Sequence, residues 1–135
     1  MNQKQFLNDY EKFVESVMSK TSLDWVEFKE RLDKLGREGR EPSLLLTAEI
    51  GLSGETGEFS DIIKKIMFQG KEFTDEVHDH LSKELSDIIF YWITACLALN
   101  VDPNDIIQKN IDKLSARYPN GFEVSKSEVR SDGDI

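Results

Sequence analysis

The stretch Ser43 to Phe68, SLLLTAEIGLSGETGEFSDIIKKIMF, decides the fold. Its apolar residues recur at three- and four-residue intervals, the spacing of one helix face. Pro42 precedes it and Gly70 follows it, a start signal and a stop signal. Take Glu55 as zero and advance ~100° per residue: Leu44, Ala48, Leu52, Phe59, Ile62 and Ile66 fall between roughly −20° and +60°. Glu55 thus lies inside the apolar arc, and Glu58 flanks it at about −60°. Residues three apart share a face, so this carboxylate pair borders core rather than solvent.

A second stretch repeats the arrangement. Thr74 is an N-cap residue with Asp75 and Glu76 in the first turn, and the helix it opens runs to about Leu99. With Glu84 as zero, Val77, Leu81, Ile88, Trp92, Ala95 and Leu99 fall between about +20° and +80°, and Asp87 sits near −60°. A short turn around Lys71 makes the two helices an antiparallel hairpin. Glu58 and Glu84 each stand about 20 Å from that turn at ~1.5 Å per residue. The pairs Glu55/Glu58 and Glu84/Asp87 therefore face each other at one level.

Four carboxylates so placed raise one another's pKa or recruit cations. All-oxygen ligation suits Mg²⁺, with Mn²⁺ as substitute. Because Mg²⁺ keeps waters and binds substrate phosphates, the constellation points to a phosphate-bearing substrate. Gly51, Gly54 and Gly57 lie in the same helix, where each costs ~1 kcal/mol relative to alanine. Two explanations stand side by side: room for a ligand, or close helix packing at a dimer interface.

The rest of the chain is helical in pattern as well. One helix is expected from about Lys4 to Ser19, with Phe6, Tyr10, Phe13 and Val17 in a stripe. Another is expected from about Asp24 to Leu35, ended by Gly36. Asp102-Pro103 starts a last helix that ends near Tyr118. The segment from 123 to 135 is polar and expected to be a flexible tail. The expected organisation is one domain over 1–122 with a catalytic core at about 43–122. Sustained two-residue alternation is absent, so the fold class is all-α.

The 135 residues carry a net charge of −9, which disfavours gripping a nucleic acid polymer by its phosphates. Cys96 is the single cysteine, expected as a core thiol. No run approaches a membrane span or a signal peptide, so the expected setting is cytoplasmic.

The segments GETGE (Gly54 to Glu58), KELSDIIFY (Lys83 to Tyr91) and KNIDKLSARYPNGF (Lys109 to Phe122) together resemble the MazG-like all-α nucleoside triphosphate pyrophosphohydrolases. The resemblance covers about Leu44 to Phe122. It implies a helical bundle with a four-helix core, assembled as a dimer or dimer of dimers. It implies that Glu55, Glu58, Glu84 and Asp87 hold Mg²⁺ and that a nucleoside triphosphate is cleaved to the monophosphate and pyrophosphate. Asn110, Lys113 and Arg117 match polar residues that reach phosphates, with Tyr118 following; their spacing independently puts them on one face. Tyr91 matches a tyrosine at the nucleotide, and Lys65, two turns beyond Glu58, is placed to neutralise a phosphate. Trp25 is a candidate for stacking on the base, whereas Trp92 is expected in the core. His78 and His80 are expected to face solvent, with His80 one turn from Glu84. Asp61 and Lys64 read as solvated surface. Glu55, nearest the apolar arc, is the choice of general base.

Three other readings remain. One is cleavage of phosphoribosyl-ATP by the same carboxylates. Another is a ferritin-like di-iron bundle, which wants Glu-x-x-His pairs that neither His78 nor His80 supplies. The last is a non-catalytic helical oligomerisation module.

Overall fold

The computed structural model describes residues 3–128. It contains seven helices among them: α1 (Gln3–Val17), α2 (Lys20–Leu23), α3 (Trp25–Arg37), α4 (Pro42–Phe68), α5 (Asp75–Leu99), α6 (Pro103–Arg117) and α7 (Val124–Glu128). No β-strand occurs among the described residues, and the fold is all-α. The chain divides into two compact units, residues 1–42 and 43–135.

In the first unit, Asp24 caps α3 by accepting from the backbone N–H of Val26 at 2.7 Å and of Glu27 at 3.2 Å. The helix does not stop at Gly36. It continues to Arg37, and the left-handed residue that turns the chain is Gly39, at φ 74°. Gly36 keeps helical geometry, so the expected stop was misplaced by one short step. The turn α2 was not anticipated; Ser19 nucleates it by accepting from the N–H of Ser22. The α1 stripe of Phe6, Tyr10, Phe13 and Val17 is exposed.

In the second unit, α4 and α5 follow the expected boundaries closely. Gly70 adopts φ 69°, a conformation glycine reaches without strain, and so ends the α4 turn. Thr74 caps α5 by accepting from Val77 N–H. Asn100 closes α5 in the left-handed region, at φ 52°. Asp102 caps α6 by accepting from Asn104 N–H at 2.8 Å, with Pro103 in the first turn.

The two predicted arcs form the core. Ala48 and Ile62 on α4, and Leu81 on α5, are buried, while Leu44, Leu52, Phe59, Ile66, Val77, Ile88 and Ala95 are half-buried. Leu99, predicted in the arc, is exposed because it ends the helix. Cys96 is buried as expected. Trp92 is half-buried rather than enclosed.

A second apolar face went unread. Leu85, Ile89, Ile93 and Leu97 repeat at four-residue intervals on α5 and are exposed, with Phe90 beside them at 63%. Beyond Asp87, α5 is apolar nearly all round, the signature of a helix that packs on more than one side. In the segment expected to be a tail, Val124–Glu128 forms a short helix, started by the Glu123 carbonyl accepting from Lys126 and Ser127 N–H groups. The remainder of that segment lies outside the described residues. Among the described residues no single helix is long and apolar enough to cross a membrane; α5 and α6 meet that measure only together, across a 101° bend.

Candidate active site

The register of α4 against α5 comes from two contacts. At Gly51 the Tyr91 ring occupies the space a Cβ would need. Across the groove, oxygens of Glu55 and Glu84 lie within 4.8 Å of each other. Both pairs are centred close to Lys71, so the hairpin is antiparallel in the register that the equal heights predicted.

Glu55, Glu58 and Glu84 each offer an oxygen within 4.8 Å of the others. Their settings differ: Glu58 is exposed, Glu55 half-buried and Glu84 only 5% exposed. Partial burial pushes the Glu55 carboxyl above its ordinary range, and the charges of Glu58, Asp87 and Glu84 push it further. Asp87 acts on Glu55 through its charge but stays exposed, outside the three-oxygen cluster.

Glu84 also meets His80, with Nε2 2.8 Å from its carboxylate. His80 is half solvent-facing, as expected of its ring, yet its nitrogen turns inward to the most buried carboxylate. The signal was its place four residues before Glu84.

A cavity of about 430 Å³ opens beside the carboxylates. From α4 it is bordered by Gly54, Gly57, Glu58, Asp61, Ile62 and Lys65. Lys71 from the connecting loop and His80 from α5 complete it. A Cβ at Gly54 or Gly57 would meet nothing within 4 Å, so these two leave the cavity wall open. Gly51 instead serves close packing, within the chain and against Tyr91. The two explanations offered for the glycines thus divide between positions.

Asp61 and Lys64 are exposed, as expected, and form an ion cluster with Lys65, of which Asp61 and Lys65 border this cavity. Asp61 pairs with Lys64 and, at 2.5 Å, with Lys65. Hydrogen bonds from the two lysines hold the Asp61 carboxyl down at about 2. The spacing i, i+3 and i, i+4 was the available signal.

The remaining predicted residues lie elsewhere. Asn110 and Lys113 line a separate cavity of about 470 Å³ with Trp92, Ile106, Ile107 and Lys109. The Arg117 guanidinium lies 5.8 Å from the centre of the Tyr118 ring, which in turn lies 5.4 Å from Phe122. Tyr91 stands edge-on to Phe90 and over Gly51, and does not line the carboxylate cavity. Trp25 belongs to the first unit, is 72% exposed and lies 6.1 Å from Phe28, ring to ring.

Three oxygen donors of like charge, converging with no lysine or arginine between them, match the donor set of a hard divalent cation.

Comparison with known proteins agrees with this geometry. The MazG nucleotide pyrophosphohydrolase domain model matches residues 44–122, the stretch that holds the carboxylates and α6. The Gene 37 protein of Mycobacterium phage L5 is 35% identical over 74 residues, which are 53% of this chain and 64% of that protein. No solved structure matches the chain. With more than half of its length matched and all four carboxylates inside the match, the chain belongs to the MazG nucleotide pyrophosphohydrolase domain family.

Proposed function

We propose that this protein hydrolyses nucleoside triphosphates to the monophosphate and pyrophosphate, using Mg²⁺, or Mn²⁺ in its place, held by Glu55, Glu58, Glu84 and Asp87. The observation that carries the reading is the convergence of oxygens from Glu55, Glu58 and Glu84 within 4.8 Å. A bound divalent ion supplies charge neutralisation for the phosphates and acidifies water.

The chain's own residues have definable parts. Glu55, with its affinity for protons raised by burial and by its acidic neighbours, takes the proton from the attacking water. The water oxygen bonds to the α-phosphorus as the bond to the bridging oxygen breaks, and pyrophosphate leaves with that oxygen. His80 holds the Glu84 carboxylate in place. Lys65, on the same cavity as Glu58, faces the phosphates. Asn110, Lys113 and Arg117 on α6, Tyr118 after it and Tyr91 on α5 are proposed as further substrate contacts.

Self-association belongs to the same proposal. The bare Leu85, Ile89, Ile93 and Leu97 ridge is the surface that a second copy would cover, giving a homodimer or homotetramer.

The test is pyrophosphate release across the eight common nucleotides, dUTP and phosphoribosyl-ATP, with Mg²⁺ and with EDTA. Mg²⁺-dependent release from one or more nucleoside triphosphates, abolished in Glu58→Ala and Asp87→Ala with the helical content intact, is the expected result. Full activity in either variant sinks the assignment, and exclusive cleavage of phosphoribosyl-ATP replaces it.

A further inference from the structure

The carboxylates are bounded differently on their two sides along the α4–α5 groove. Away from the connecting loop, the Tyr91 ring sits on the Gly51 backbone and fills the space between the two helices at that level. Toward the loop, the cavity opens, and its cations are Lys65, Lys71 and any charge on His80. A chain of phosphates that begins at the carboxylates and follows this cavity runs from Glu58 toward the loop.

The cations on that side are graded in availability. Asp61 engages both Lys64 and Lys65, so the three together carry one positive charge. Lys71 forms no ion pair with another described residue. Its backbone N–H donates to the Lys65 carbonyl at 3.1 Å, and both lysines border the cavity. Lys65 stands ~10 Å along α4 from Glu58 at the helical rise. Phosphates near Glu58 are therefore out of reach of the loop end, and one further along the chain is within it.

We propose that Lys71, supported by Lys65, binds the terminal phosphate, so that the phosphate chain points from the carboxylates to the α4–α5 loop and triphosphates are selected over diphosphates. The proposal rests on the hydrolase reading above. Lys71 is a specificity residue in it, one that touches a phosphate remote from the bond being cleaved. A diphosphate ends before reaching Lys71 and gains nothing from it.

The test compares wild type, Lys71→Met, Lys71→Arg and Lys113→Met. Steady-state kinetics are measured on the best nucleoside triphosphate and its diphosphate, and magnesium pyrophosphate binding is measured by titration calorimetry. Loss of one charged hydrogen-bond donor predicts that Lys71→Met raises KM for the triphosphate about tenfold while kcat changes far less. The preference for triphosphate over diphosphate falls by the same factor, and Lys71→Arg recovers most of it. Unchanged preference in Lys71→Met overturns the proposal. So does loss of preference in Lys113→Met alone, which turns the phosphate chain toward α6. If wild type cleaves no triphosphate, the hydrolase reading has failed, and calorimetry still decides on Lys71. Magnesium pyrophosphate binding that is weakened in Lys71→Met supports it; equal or absent binding overturns it.

Discussion

Gly51→Ala adds one methyl group where the structure has no space for it. The ideal Cβ overlaps the Tyr91 ring at Cγ, Cδ1 and Cε1, the near side of the ring as well as its edge, so the whole ring has to move. Overpacking of this kind costs about 1–3 kcal/mol. Replacing a helical glycine by alanine returns ~1 kcal/mol through the backbone. The net change for Gly51→Ala is thus a loss of between about 0 and 2 kcal/mol. Gly54→Ala is the internal control. It carries the same backbone gain with nothing within 4 Å of the new methyl, so it stabilises. The difference between the two variants, about 1–3 kcal/mol, isolates the clash. Urea denaturation followed by circular dichroism measures it, and a cycle with Tyr91→Ala completes the case. In the Tyr91→Ala background Gly51→Ala becomes stabilising by ~1 kcal/mol. If Gly51→Ala stabilises the parent protein as much as Gly54→Ala does, the α4–α5 register described here is wrong.

Other outcomes follow from the site and its supports. The Glu55 carboxyl is held above 4.5 in the fold, so the folded state binds a proton that the unfolded state has released. Stability of the metal-free protein therefore falls as pH rises from 4.5 through the raised value, and Glu55→Gln flattens that fall in denaturation measured with EDTA. Asp61 behaves in the opposite sense. Its carboxyl lies at about 2 against an ordinary 3.8, so its contribution is present above 3.8 and lost as pH drops through about 2, and Asp61→Asn removes that part of the acid limb. Thr74→Ala deletes the oxygen that accepts from Val77 N–H and lowers stability by about 1 kcal/mol, measured by thermal unfolding.

The hairpin was legible in the sequence because two independent signals agreed. Angular position placed Glu55 inside one apolar arc and Glu84 at the border of the other, and the cap at Thr74 with the stop at Gly70 marked where the two helices meet their loop. What sequence periodicity gave less well depends on the third dimension. Gly51, Gly54 and Gly57 look alike in one chain; only the Tyr91 ring across the groove separates the packing glycine from the two that border the cavity. Asp61 and Lys64 read as solvated surface, and their side chains are exposed; what the helix angles alone did not give is that Asp61 pairs with Lys65 at the cavity. The loop lysine Lys71 has no periodicity to betray it. The apolar ridge of Leu85, Ile89, Ile93 and Leu97 was present at four-residue intervals, but the arc beside Glu84 had already accounted for α5. Two residues also separate the predicted from the observed end of α3: a glycine in helical geometry, at Gly36, gives the same letter as one at positive φ, at Gly39.

Titration of Mg²⁺ into the protein, wild type against Glu84→Gln, tests the central claim most directly. Glutamine keeps the shape of the buried side chain and removes its charge, so the helices stay paired while one of the three converging oxygens loses its negative charge. Loss of a partner that only supports a ligand already weakens metal binding by about tenfold or more, and loss of a ligand's own charge costs at least that. The account predicts saturable Mg²⁺ binding in wild type and that loss in Glu84→Gln, with unchanged helical content. Equal Mg²⁺ affinity in the two proteins would contradict it.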